Sequence, residues 1–166
     1  MRKLPRRAYP DIYGMTDTAS INPRIVEGLY CEALVLSDEA RALFDLSGRS
    51  DAAAADEDLA RLALSCEALR TTTRMMHAIA WLLNHRAHFR GELSEFQLRR
   101  HGRLAVDFPE ADPARLALLE PDVRALILAT ERFYARLVRI ENGWRRHDPG
   151  PRSAIDQLRQ RLAAAS

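Results

Sequence analysis

The segment from Asp58 to Gly91, DLARLALSCEALRTTTRMMHAIAWLLNHRAHFRG, holds no proline, and no glycine before its last residue. Within it Leu59, Leu62, Cys66, Leu69, Thr73, Met76, Ala80, Leu83 and Ala87 return every three or four positions. That is the period of a helix face, sustained for about four heptads. Asp56 or Asp58 suits the start and Gly91 the stop. At about 1.5 Å per residue the helix is roughly 50 Å long, the scale of a bundle helix. A second set, Leu64, Ala68, Thr72, Met75, Ile79 and Leu82, runs beside the first. Together they cover an arc of about 200°, wider than one neighbour needs. The segment is therefore expected to pack against two helices, or against one helix and a partner chain.

The remaining face carries Arg70, Arg74, His77, Trp81, His85 and His88, a basic strip with one large aromatic at its centre. Arginine and tryptophan are residues that interfaces favour, so the strip is read as a binding face. The competing reading is structural. It places Trp81 under a short following helix with Phe96 and Leu98, and pairs Arg70 and Arg74 with acids such as Glu131.

The rest of the chain supplies the neighbours. Residues 1–21 read as an arm, because Pro5, Pro10 and Gly14 break any period. Asn22 is a favoured cap and Pro23 suits the first helical position, opening a helix along Ile25, Leu29, Ala33, Leu36, Ala40 and Leu43. Gly28 interrupts it at a cost of about 1 kcal/mol against alanine, and is read as a close crossing. A loop follows from Leu46 to Ala55. After Gly91, Ser94 and Gln97 form a capping-box pattern for a short helix ending by Gly102. Pro109, Pro113 and Pro121 then punctuate a long connection with one turn at Ala114–Leu119. Pro121 opens a third long helix, to about Arg146, whose inner side reads Val123, Leu126, Ile127, Thr130, Phe133, Leu137, Ile140 and Trp144. The tail has a short amphipathic pattern at Ile155, Leu158 and Leu162, marginal as a helix without a docking surface.

These elements predict an all-α fold, an antiparallel three-helix bundle with a short extra helix and a flexible or weakly helical tail. The divisions are 1–21 (arm), 22–147 (bundle) and 148–166 (tail). At 166 residues the chain suits a single core. Two cysteines, Cys31 and Cys66, read as unpaired thiols of a reducing compartment, and no run is long and apolar enough to span a membrane. The cytoplasm is the expected location.

Motifs for chemistry are absent. His85, His88 and Glu92 have a spacing that a metal site could use, but no Glu-x-x-His pair or His-Glu-x-x-His accompanies them, so no metal is expected. There is no Gly-x-Ser-x-Gly elbow and no Gly-rich phosphate loop. No catalytic residue and no cofactor is assigned. Nucleic-acid binding is the alternative class: Arg99, Arg100, His101 and Arg103, with Arg2, Lys3, Arg6 and Arg7, present cations suited to phosphates. A net charge of only +2 and the lack of a tight two-helix reading head count against it.

The run from Arg70 to Leu93 also resembles a known pattern. Arg70, Thr72, Thr73, Arg74, Met76, Ala80, Trp81, Leu82 and Leu83, then Gly91, Glu92 and Leu93, match the hallmark of the regulator of CtrA degradation (RcdA) family of small alphaproteobacterial proteins. The helix with LYCEALVLSDEARALFDLSGR resembles that family's opening helix, and DVRALILATERFYARLVRIEN its last. The resemblance implies a homodimeric three-helix bundle without an active site. It implies an adaptor role, helping a ClpX-type AAA+ protease reach cell-cycle regulators together with a response-regulator-like partner. The residues assigned to partner binding are Arg70, Arg74, His77, Trp81, His85 and Glu92.

Overall fold

The computed structural model describes residues 21–47, 55–104 and 108–147. These form α1 (Pro23–Ser47), α2 (Ala55–Phe89), α3 (Glu95–His101), α4 (Pro113–Leu116) and α5 (Pro121–His147), with no strand among the described residues. The all-α expectation holds. The expectations for the N-terminal arm, for most of the first loop and for the tail fall outside the described residues.

Four helix ends have a clear local cause. The Ile25 N–H donates to Asn22 Oδ1 at 2.9 Å, with Pro23 as the first helical residue. Ser94 and Gln97 cap α3 reciprocally, as their spacing predicts. Asp112 caps α4 through the Ala114 N–H at 3.0 Å, with Pro113 next. At the end of α2, Gly91 takes φ 77°, a left-handed conformation that side chains disfavour. Its N–H reaches the His88 carbonyl at 2.9 Å, while the Glu92 N–H reaches Ala87 at 3.0 Å, the two bonds of a Schellman stop.

The three long helices pack mutually. α1 runs antiparallel to α2: Glu27 near its start pairs with Arg86 near the end of α2 at 2.9 Å, and Phe44 near its end packs against the cluster that holds Ala63 of the first half of α2. α1 is antiparallel to α5 as well, through the Glu32–Arg136 ion pair. The antiparallel expectation therefore holds for α1 against both neighbours, but α2 and α5 are parallel. Ala63 clusters with Val123 and Ile127, Arg74 reaches Thr130, and the His85 ring lies 5.2 Å from Trp144. The reason is the connection from Arg90 to Glu120, which carries the chain back along the bundle before α5 begins.

The core joins Val26, Leu29 and Ala33 of α1 to Met75, Ala78, Trp81 and Leu82 of α2 and Phe133, Tyr134 and Leu137 of α5. The inward line of α5 is as the spacing predicts, with Val123, Leu126, Ile127, Thr130, Phe133 and Leu137 all buried. For α2 the assignment of faces is different. Its second apolar set turns toward α1, with Met75 and Leu82 buried. Its first set points outward: Leu59, Leu62, Leu69, Met76 and Leu83 are 58, 63, 70, 65 and 43% exposed. The inward line is instead Glu67, Thr71, Arg74, Ala78, Trp81 and His85. On this side Arg74 donates to Thr130 and Glu131 of α5, Glu67 accepts from Arg70, and the His85 ring stands against those of Trp81 and Trp144, so the side chains facing α5 are polar and aromatic where leucines would leave those partners unpaired.

Gly28 is exposed, and a Cβ built there meets nothing within 4 Å, so it is no crossing point. Gly28→Ala is expected to stabilise the fold by about 0.5–1 kcal/mol, read as a higher midpoint in urea with an unchanged slope.

Candidate functional site

The strip on α2 forms the seat of the returning chain. At the far end the Leu104 N–H donates to Glu141 Oε2 at 3.0 Å, and Glu141 Oε1 in turn accepts from Arg145 Nε at 2.8 Å. Gly102 just before it has no room for a side chain, since a Cβ would stand 2.6 Å from the Leu98 carbonyl oxygen. Further along, Phe108 is held edge-on between the His77 ring at 5.3 Å and the Tyr134 ring at 5.1 Å. Arg70 Nη2 donates to the Pro109 carbonyl at 3.4 Å, and its other nitrogen pairs with the fully buried Glu67 at 3.2 Å. Arg74 completes the series, donating to Glu131 Oε1 at 3.1 Å and Thr130 Oγ1 at 3.3 Å, while the same Glu131 oxygen accepts the Ala111 N–H at 2.8 Å.

Burial sets the electrostatics. It lowers the Arg74 pKa, with Glu131 and then Glu67 pulling the other way, and a guanidinium in such company stays charged. Tyr134 is pushed up to about 12 by burial and by the Glu141 carboxylate, against Arg74, so its phenol is neutral. His85 is lowered from 6.5 to about 4 by burial, then by His88 and Arg145. Its ring is 4.1 Å from that of Trp81, and His85 Nε2 and Trp81 Nε1 have no hydrogen-bond partner among the described residues.

The residues assigned to a partner-binding strip thus divide. Arg74, Trp81 and His85 are buried in the monomer, at 2, 2 and 1% exposure, and do not form a solvent-facing rim. The polar core needed them: α5 and the returning chain cover this side of α2. Arg70 is half-buried and holds the Pro109 carbonyl, and the predicted Arg74–Glu131 pair is formed. His77 and Glu92 remain exposed. Leu98 is buried, but Phe96 is not; counted from the Ser94 cap, α3 turns Leu98 inward and leaves Phe96 67% exposed. In the basic cluster, Arg99 pairs with Glu95 at 2.8 Å and lies over the Trp144 ring at 4.6 Å, while Arg100, His101 and Arg103 are exposed.

Two features escaped the reading of the letters: the bare apolar row of α2 and the exposed corner at Phe96. The first was visible as a strict heptad, and the wide apolar arc it belongs to was expected to meet two helices, or one helix and a partner chain; the row itself faces solvent in the monomer. Beside the seat, Phe108, Glu110, Glu131, Tyr134 and Arg139 line an open groove of about 540 Å³. No group of three His, Cys, Asp or Glu able to hold a metal occurs among the described residues, where Cys31 and Cys66 are free thiols. None of the described helices is long and apolar enough to cross a membrane.

The chain belongs to the family described as protein of unknown function DUF1465, whose model matches residues 17–166. No curated protein and no solved structure matches it significantly.

Two outcomes test the seat. An unfolded chain protonates His85 as pH falls through 6.5, whereas the folded one resists until about 4. Stability from this group is therefore complete above pH 6.5 and is lost as pH falls to about 4, by roughly 3 kcal/mol. Urea midpoints across that window should fall in the parent chain and flatten in His85→Phe. Arg74→Ala leaves Glu131 and Thr130 beneath the returning chain without their cation. It is expected to cost about 2–3 kcal/mol and to speed hydrogen exchange at the Ala111 amide before that of α1.

Proposed function

We propose that the chain is a non-enzymatic adaptor that works through exposed helical faces. In keeping with its resemblance to the RcdA family, it acts in the cytoplasm. There it helps deliver cell-cycle regulators to a ClpX-type AAA+ protease together with a response-regulator-like partner. The observation that carries this reading is the corner between α2 and α3. Phe89 and Phe96 are exposed there beside Arg90, Glu92 and Arg100. Exposed aromatics ringed by charges of both signs have the composition of an interface anchor and its rim.

The corner is also stiff. The Schellman stop at Gly91, the His88 Nδ1 to Leu93 carbonyl contact at 3.0 Å and the Ser94–Gln97 box fix its backbone in three successive places. A surface ordered in advance loses less entropy when it binds. Glu92, assigned to partner binding from the sequence, stands at this corner. Arg100, His101 and Arg103 alone make a short cationic patch, which favours a protein partner over a nucleic-acid backbone.

Affinity capture from the source cell tests the reading. The protease and a response regulator are expected with the parent chain. Phe96→Ala and Glu92→Ala should lower their recovery about tenfold with unchanged Tm, since both side chains are exposed. Capture without the protease rejects the adaptor role, and full recovery with both variants rejects the corner as its contact.

A further inference from the structure

α5 carries a stripe that the bundle leaves partly unused. Leu128, Glu131, Arg132, Ala135, Val138 and Arg139 recur every three or four positions along one side of it. With Phe108 and Glu110 of the returning chain they line the open groove of about 540 Å³. The stripe spans three turns, about 16 Å. Its charged groups divide into committed and free. Arg74 and Glu131 serve each other, Thr130 and the Ala111 amide. Arg132 and Arg139 are exposed and make no hydrogen bond or ion pair among the described residues. The same holds for Glu110, so the uncommitted charge at the groove is two cations against one anion.

The two arginines have a set spacing. They stand seven residues apart, two turns and about 10.5 Å along one side of the helix. Ala135 lies between them, three residues from one and four from the other, and is exposed. A lone methyl group there leaves room for a bulky side chain. Leu128, 39% exposed, and half-buried Val138 and Phe108 give apolar surface beside it. Along the groove the chemistry therefore runs cation, gap, cation. Its complement is carboxylate, bulky apolar group, carboxylate, with the two acids about 10 Å apart. A helix supplies that when acids stand at i and i+7 and apolar residues at i+3 or i+4. An extended strand sets same-face residues about 7 Å apart, out of step with the turns of α5, about 5.4 Å each. A nucleic-acid backbone fits worse, because the Glu110 and Glu131 carboxylates line the same groove and repel phosphates.

We infer that this groove seats an acidic amphipathic helix of a partner protein, with its two carboxylates on Arg132 and Arg139 and its apolar residue over Ala135. The inference rests on the reading of the chain as a binding protein, and adds to the α2–α3 corner a second surface whose partner has a stated chemistry. Exposed ion pairs orient a partner more than they hold it. The apolar contact supplies most of the affinity, and the arginines select an acidic helix over a basic one.

Binding of a synthetic peptide to the purified full chain tests this without protease or client, so its failure is separate from failure of the adaptor role. The probe is a fluorescein-labelled, alanine-based helix of about 15 residues. It carries two glutamates seven positions apart, with leucines three and four positions after the first. Fluorescence anisotropy should show saturable binding below about 1 mM. Binding should weaken about two- to fivefold in Arg132→Gln or Arg139→Gln, and about tenfold in Ala135→Gln, which fills the gap. Arg132→Glu combined with Arg139→Glu should lose this peptide and bind one with lysines in place of its glutamates. The near-ultraviolet signal of buried Trp81 should stay unchanged throughout. Parent affinity in the double reversal, no gain there by the lysine peptide, or no binding of the glutamate peptide to the parent chain overturns the proposal. Tighter binding of random duplex DNA that the double reversal abolishes assigns the groove to nucleic acid, and overturns it too.

Discussion

The bundle depends on the contact of Arg74 with Glu131 and of Glu131 with the Ala111 amide. Two parallel helices cannot be joined by a short turn, so the chain must travel back along them, and its backbone arrives with polar groups unsatisfied. Arg74 comes from α2, Glu131 from α5 and the amide from the returning chain, so one small network holds three elements. A charge pair in such a place stabilises only when its geometry is good and its spare donors are used. Here the guanidinium also reaches Thr130, and the carboxylate serves both the cation and the amide.

That constraint explains the unusual division of α2. A helix with leucines available would ordinarily turn them inward, yet Glu67, Thr71, Arg74 and His85 are buried while Leu62, Leu69 and Met76 are not. The inward side has to meet the Glu131 carboxylate and the Thr130 hydroxyl, which Arg74 does and a leucine cannot. Once those polar residues are committed to the interior, the heptad row has no surface left inside the chain. α2 thus carries polar side chains on the side facing α5 and an apolar row toward solvent.

Local bonds also fix one exposed corner. The α2–α3 corner is tied by backbone bonds at Gly91, by the His88–Leu93 contact and by the box at Ser94, so exposed Phe96 rides on a fixed frame. The family match to DUF1465 covers the bundle and the stretch beyond α5.

Much of this was legible in the letters. Asn22–Pro23, Ser94 with Gln97, and Gly91 mark helix ends through their own hydrogen bonds and torsions, which need no distant partner. The inner line of α5 was equally plain, because its polar side is strongly charged and leaves one apolar stripe. α2 was different: occupied by apolar, aromatic or cationic groups all round, it offered three faces of comparable claim. Local periodicity determined that it would be a long helix, and the side-chain chemistry allowed the Arg74–Glu131 pair. Which face turned inward was decided only in the folded chain, where Arg74 meets Thr130 and Glu131 and His85 meets Trp144, because periodicity is the same for every face and only packing says which one α5 will cover.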